Sequence, residues 1–167
     1  MHVRPPIEPF QAPESITPAD IAEWIEGIAT FPVRLIASLG KISAETLETP
    51  YRPGGWTRRQ VVHHIGDSHV NSFVRFKWAL TEPNPTIKAY DENAWAELPD
   101  SKGPIDSSLA LIGALHGRWA ELLRALTPEQ LARTFHHPES GQTVDLATNV
   151  AIYAWHGDHH LAQIELP

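Results

Sequence analysis

Histidine is the residue that sets this chain apart. Ten of its 167 residues are His, and six of them fall in two short clusters. One cluster is His63-His64-Ile65-Gly66-Asp67-Ser68-His69, and the other is Trp155-His156-Gly157-Asp158-His159-His160. Both lie in stretches with helical character. Residues four apart share a helix face, so His156 and His160 can direct two imidazoles at one point. A third imidazole from the first cluster would complete a three-histidine metal site. Such a site leaves a coordination position open for water or substrate. The chain has no cysteine. Disulfides, Cys-ligated zinc and a cysteine nucleophile are therefore excluded, and any thiol chemistry must draw on a thiol from outside.

The faces that carry these histidines differ. On the last helix, Asn149, Tyr153, His156, His160, Gln163 and Ile164 fall within roughly one third of the circumference. Polar groups are mixed with apolar ones there, which a plain core face does not show. His159 lies to the side of this group. On the helix of the first cluster, Val62, Ile65, His69, Phe73, Phe76 and Leu80 form an apolar stripe. His64 sits on another face with Gln60, Asp67, Ser68, Asn71 and Arg75, a row that suits the wall of a wet pocket. Periodicity alone leaves both open: His69 as a hydrogen-bonded core residue with His64 in solvent, or His64 as the ligand. His116, alone on its helix beside Gly117 and Trp119, reads as structural. His136 and His137 precede Pro138 in a turn, and His2 lies near the terminus; none of these three is expected to bind metal.

Composition bounds the partners. The net charge is −7, and no basic stripe offers itself to phosphates, which argues against nucleic-acid binding. Hydrophobic residues make up 42% and charged ones 20%, an ordinary soluble balance. No apolar run approaches the ~20 residues of a membrane span, and the N-terminal residues lack the apolar core of a signal peptide. No membrane partner and a cytoplasmic location are the expectation. The length suits a single domain over residues 1–167, with a Pro-rich extended arm at 1–16.

The positioning elements follow from cap and breaker residues. Thr17-Pro18-Ala19-Asp20 starts a helix that runs to about Leu39, where Gly40 stops it; Pro32 is expected to kink or break it near Phe31. A short helical turn is expected at 43–47, and a rigid turn at Tyr51–Trp56. Thr57 and Gln60 form a capping box for a second long helix over about 58–80. A long connection at 81–104 holds a short helix near 92–98. A third long helix spans about 105–126, a capping box at Thr127–Gln130 opens another short one, and 135–141 is a turn. The fourth long helix runs from about Asp145 to the end. The chain stops at Leu166-Pro167 without a polar turn, which suggests a trimmed terminus. Four long helices, one long crossover and no strand-period run predict an all-α four-helix bundle.

The motifs resemble the DinB/YfiT superfamily. They comprise Trp56-Thr57, His64 eight residues after that Trp, and a late helix with His156, His160, Gln163 and Ile164. The likeness to the YfiT branch covers nearly the whole chain, through strings such as Tyr51–Thr57, Arg75-Phe76-Lys77, Ala94–Leu98 and Tyr153–His156. The resemblance implies a four-helix bundle holding one divalent ion, zinc or nickel, on His64, His156 and His160, and so favours His64 over His69. Members of the family are described as metal-dependent hydrolases, and others transfer a low-molecular-weight thiol such as bacillithiol or mycothiol to electrophiles. It also implies a two-fold homodimer, to which the apolar stripe of the second long helix and Tyr90, Trp95 and Leu98 could contribute.

The leading expectation is therefore an enzyme that binds a small-molecule substrate and transfers a thiol to it, with a hydrolase acting through water as the alternative. Asp67 or Asp158 could orient an imidazole, and Arg75 could pair with a substrate carboxylate. A non-catalytic metal-binding stress-response module would differ by closing the site with a fourth protein ligand, Asp67 or His69.

Overall fold

The computed structural model describes residues 7–166; His2, the first residues of the expected arm and Pro167 lie outside them. The helices, in chain order, are α1 (Pro18–Leu39), α2 (Ala44–Leu47), α3 (Arg58–Thr81), α4 (Glu92–Ala96), α5 (Asp106–Arg124), α6 (Pro128–Leu131) and α7 (Leu146–Glu165). A 3-10 turn covers Pro99–Lys102, just before α5. The predicted caps are in place. Thr17 with Asp20, Thr57 with Gln60 and Thr127 with Gln130 form reciprocal capping boxes, each satisfying donors that the first turn leaves free. The Asp145 side chain accepts from the Thr148 amide at 2.7 Å and starts α7.

The four long helices form the bundle. Both α1 and α3 pack against α5 and α7, so α1 lies diagonal to α3, and α5 to α7. The long 82–105 connection joins neighbours, whereas 40–57 and 125–145 each join helices on a diagonal. At the far end of α7, where no basic residue caps the last turn, Arg58 of α3 donates through Nε to the Ile164 carbonyl at 3.0 Å. This satisfies a free helix-end carbonyl and complements the dipole. It also ties the turn after His160 to the start of α3.

The core divides in two. One apolar cluster contains Phe76, Trp119, Leu123, Leu146 and Val150; the other contains Phe31, Leu35, Val61, Ile65, Ile112 and Ile164. Between them lies a layer of imidazoles. His69 falls between Ile65 and Phe76 on α3, His116 between Ile112 and Trp119 on α5, and His156 and His160 between Tyr153 and Ile164 on α7. The apolar stripe of α3 is largely covered by the chain itself, since Val62, Ile65 and Phe76 are fully buried, whereas Trp95 and Leu98 of the long connection remain exposed. No helix among the described residues is long and apolar enough to cross a membrane.

Two local expectations are corrected. First, α1 does not break at Pro32 but runs on through it. Proline removes one helical hydrogen bond, the one its missing N–H would give to the Ile28 carbonyl. That carbonyl instead accepts from His116 Nδ1 at 2.7 Å, so its loss is compensated from α5. Second, the expected turn at 135–141 is a hairpin. β1 (Thr134–His137) and β2 (Gln142–Asp145) pair antiparallel, with Phe135 opposite Val144. Phe135 is buried in the core, and Gly141 takes the left-handed conformation (φ +67°) that closes the loop. Two four-residue strands are too short for a period-2 signal. The hairpin also holds the long connection: His136 N–H donates to the Pro85 carbonyl at 2.9 Å and Ile87 N–H to the His136 carbonyl at 3.0 Å.

Candidate metal centre

Three of the histidines converge. His64 from α3 and His156 and His160 from α7 each offer a nitrogen, and these nitrogens all lie within 4.8 Å of one another. Helix geometry supplies the α7 pair, one turn apart on one face. Gly157 lets that face sit deep. A Cβ there would lie 2.9 Å from Cδ2 of Phe31, so α1 and α7 close on each other only because this position has no side chain. His64 rests on the Trp56 ring, with centroids 4.7 Å apart.

The α7 imidazoles are held by their second nitrogens. His160 Nδ1 lies 2.7 Å from the Gln163 carbonyl oxygen Oε1, and the Gln163 amide donates to His159 Nε2 at 2.9 Å. Since Oε1 can only accept, His160 carries its proton on Nδ1 and leaves Nε2 as a bare lone pair. His156 Nδ1 lies 3.0 Å from His69 Nε2, and His69 Nδ1 lies 2.7 Å from His116 Nε2. His69 is thus the hydrogen-bonded core histidine that its stripe suggested, with both nitrogens occupied. His63 is likewise engaged, with Ser108 at 2.7 Å and the Gly103 carbonyl at 3.1 Å.

Burial keeps the cluster neutral. It lowers His64 from 6.5 to about 4, and it lowers His160 to about 3, with His64 as the next cause. His156 is held well below 6.5 by burial and then by His160, His69 and His64. Neutral imidazoles are what a metal requires. The Nε2 atoms of His156 and His160 are 3.2 Å apart. Two bonds of zinc–imidazole length meeting at a tetrahedral angle separate their nitrogens by roughly 3.3 Å. The donor set and its spacing therefore fit a late first-row divalent cation. No fourth protein ligand joins the three among the described residues.

The expected supporting residues are dispersed. Asp158 pairs with Arg34 at 2.6 Å on the surface. Asp67 has its pKa raised by burial and then by the Asp100 carboxylate, with His63 acting in the opposite direction. It faces that pair of residues and bonds to none of the three clustered imidazoles.

Two cavities meet at the cluster. One, of about 440 Å³, is bordered by Trp56, His64, His156 and His160; the other, of about 550 Å³, by Ser68, Arg75, Tyr90, His137, Tyr153 and again His156. Glu92 borders both. Its pKa is raised by burial and then by the carboxylates of Asp91 and Glu139. Burial, with Tyr153 next, raises the Tyr90 phenol to about 12. Sequence reasoning missed Glu92 and Tyr90, because both sit in the long connection and reach the cluster only through its bridge to β1. Arg75 is placed where the polar face of α3 put it.

Fold and site together define a helical bundle with an open three-histidine centre. The family model described as the DinB superfamily matches residues 28–164, and the chain belongs to that superfamily. Proteins of Bacillus mycoides and Bacillus cereus, named as putative metal-dependent hydrolases, are 52% identical over 162 residues, covering 97% of this chain and 93% of theirs. The structure of YfiT from Bacillus subtilis matches with a TM-score of 0.92 at 46% identity, over 95% of this chain and 91% of its own. That protein is described as a probable metal-dependent hydrolase with an unusual four-helix bundle topology.

Proposed function

We propose that this chain is a metal-dependent enzyme that joins a small external thiol to an electrophilic carbon. The supporting observation is that two cavities, not one, meet at the three-histidine cluster with His156 as their shared wall. A transfer between two organic molecules needs room for both; addition of water does not. His64, His156 and His160 hold the ion. When bound, a divalent cation there supplies Lewis acidity that lowers the pKa of a thiol or water.

The rest is done by the protein's own groups. Arg75 is only 9% exposed and, among the described residues, has no ion-pair or hydrogen-bond partner, yet it lines the second cavity. A guanidinium that faces a cavity with no counter-ion beside it can take a substrate carboxylate in a charge-assisted, bidentate bond. Glu92, between the cavities and with a raised pKa, takes the proton that the thiol gives up. The sulfur–carbon bond forms as the leaving group departs from the same carbon.

The relatives' names support a second reading, hydrolysis in the same site. Zinc- or nickel-loaded protein incubated with small thiols and 1-chloro-2,4-dinitrobenzene separates the two. Metal-dependent loss of thiol with release of chloride is the expected result. No conjugation, together with ester cleavage that proceeds equally without thiol, would establish the hydrolase reading instead.

A further inference from the structure

We propose that Pro32, through the Ile28 carbonyl, His116 and His69, fixes the tautomer of His156 and thereby aims its Nε2 lone pair at the metal position. The inference rests on the reading that the three-histidine cluster binds a cation, and it assigns positioning roles to four residues that are not ligands.

The column ends at a group whose hydrogen-bonding role cannot change. The Ile28 carbonyl can only accept, so His116, 2.7 Å away, must carry its proton on Nδ1. A neutral imidazole has one N–H, so His116 Nε2 is then an acceptor. His69 Nδ1, 2.7 Å from it, must donate. His69 Nε2 is then an acceptor in turn, and His156 Nδ1, 3.0 Å away, must donate to it. One tautomer remains for His156, with the lone pair on Nε2, the atom 3.2 Å from His160 Nε2. A backbone carbonyl three bonds of relay away thus decides which nitrogen the ligand presents.

That carbonyl is available because of the proline. In an unbroken helix the N–H of residue 32 would bond the carbonyl of residue 28; Pro32 has none. The proline that costs α1 a hydrogen bond supplies the acceptor at which the imidazole column ends. Phe31, the residue before the proline, packs on the column, with its ring centroid 5.4 Å from that of His116 and 5.7 Å from that of His69. A proline placed only to bend α1 gives no reason for a buried imidazole to meet its orphaned carbonyl.

The test needs the full chain labelled with 15N-histidine, stripped of metal and then titrated with zinc. Long-range proton–nitrogen spectra of the wild type should show His69, His116 and His156 all protonated on Nδ1 before zinc is added, with no change of tautomer at His156 afterwards. An Nε2–H signal from His116 or His156 in the metal-free protein overturns the proposal without any variant. Zinc affinity supplies the second arm. His116→Phe and His69→Phe should each weaken binding about 10- to 100-fold, the range for partners of metal-bound histidines. His69→Gln, whose amide oxygen can still accept from His156, should recover most of that loss. Pro32→Ala restores the competing N–H, so it should raise Tm while weakening zinc binding several-fold; Pro128→Ala should leave zinc binding unchanged. Wild-type zinc affinity in Pro32→Ala or His116→Phe contradicts the proposal. Failure of the wild type to take up zinc would instead sink the metal reading on which it stands.

Discussion

The three clustered histidines are held in two different ways. On α7, His156 and His160 each have Nδ1 engaged by a hydrogen bond, to His69 and to Gln163. On α3, His64 has no hydrogen-bond partner among the described residues and is positioned by packing on Trp56. The α7 pair is therefore preset in tautomer as well as in place, whereas His64 is set in place alone. α7 supplies the edge of the site that hydrogen bonds fix, and His64 completes the cluster from α3, held by its packing on Trp56.

The largest break comes from the three clustered histidines. His156→Ala or His160→Ala should abolish tight zinc binding, and His64→Ala should too, while helical circular dichroism persists because the apolar clusters lie on both sides of the imidazole layer. His69→Ala should differ in kind. It leaves the three clustered imidazoles in place and removes a fully buried side chain, so stability should fall, by about 2–5 kcal/mol, along with some zinc affinity. A urea titration beside a zinc titration distinguishes the two patterns. His69→Ala losing zinc entirely while His64→Ala keeps it would reverse the assignment on α3.

Acid should act on both sides of the comparison in the metal-free protein. The folded values of His64 and His116, about 4, and of His160, about 3, all lie below the ordinary 6.5. Between those values the unfolded chain binds protons that the folded chain refuses, so stability falls as pH drops from about 6.5 towards 4 and levels off below the folded values. The ceiling is on the order of 3 kcal/mol each for His64 and His116 and on the order of 5 kcal/mol for His160. Urea midpoints of metal-free protein at pH 7, 5.5 and 4 check this, and a flat profile contradicts the burial of neutral imidazoles.

The smaller effects sharpen the contrast between bonding and packing. Gln163→Leu removes the acceptor that fixes His160 and should weaken zinc binding about 10- to 100-fold. Gly157→Ala drives a methyl into Phe31 and should cost about 1–3 kcal/mol by overpacking, read as a drop in Tm. Trp56→Leu removes only the ring under His64 and should weaken zinc binding least, by a few-fold. A Trp56 effect larger than that of Gln163 would mean that packing, not hydrogen bonding, presets the site.

Much of this was legible in the chain. The helix starts follow from Thr17, Thr57, Thr127 and Asp145, whose side chains cap by local chemistry. The α7 pair follows from a four-residue spacing. The choice of His64 over His69 was not legible from periodicity, because a polar pocket wall and a solvated face look the same on a helical wheel; the family resemblance made that choice. The hairpin was too short to register. That α1 runs unbroken through Pro32 was not legible, because the group that takes up the freed Ile28 carbonyl lies on α5, and Glu92 lies in the long connection, which the bridge between Thr86 and His136 ties to β1.

We propose above all that His64, His156 and His160 together hold one divalent ion. Isothermal titration of metal-free protein with zinc, wild type against His156→Ala/His160→Ala, tests it most directly. The wild type should take up one ion per chain, and the folded double variant should show no tight binding. No uptake by the wild type, or equal uptake by both, would contradict it.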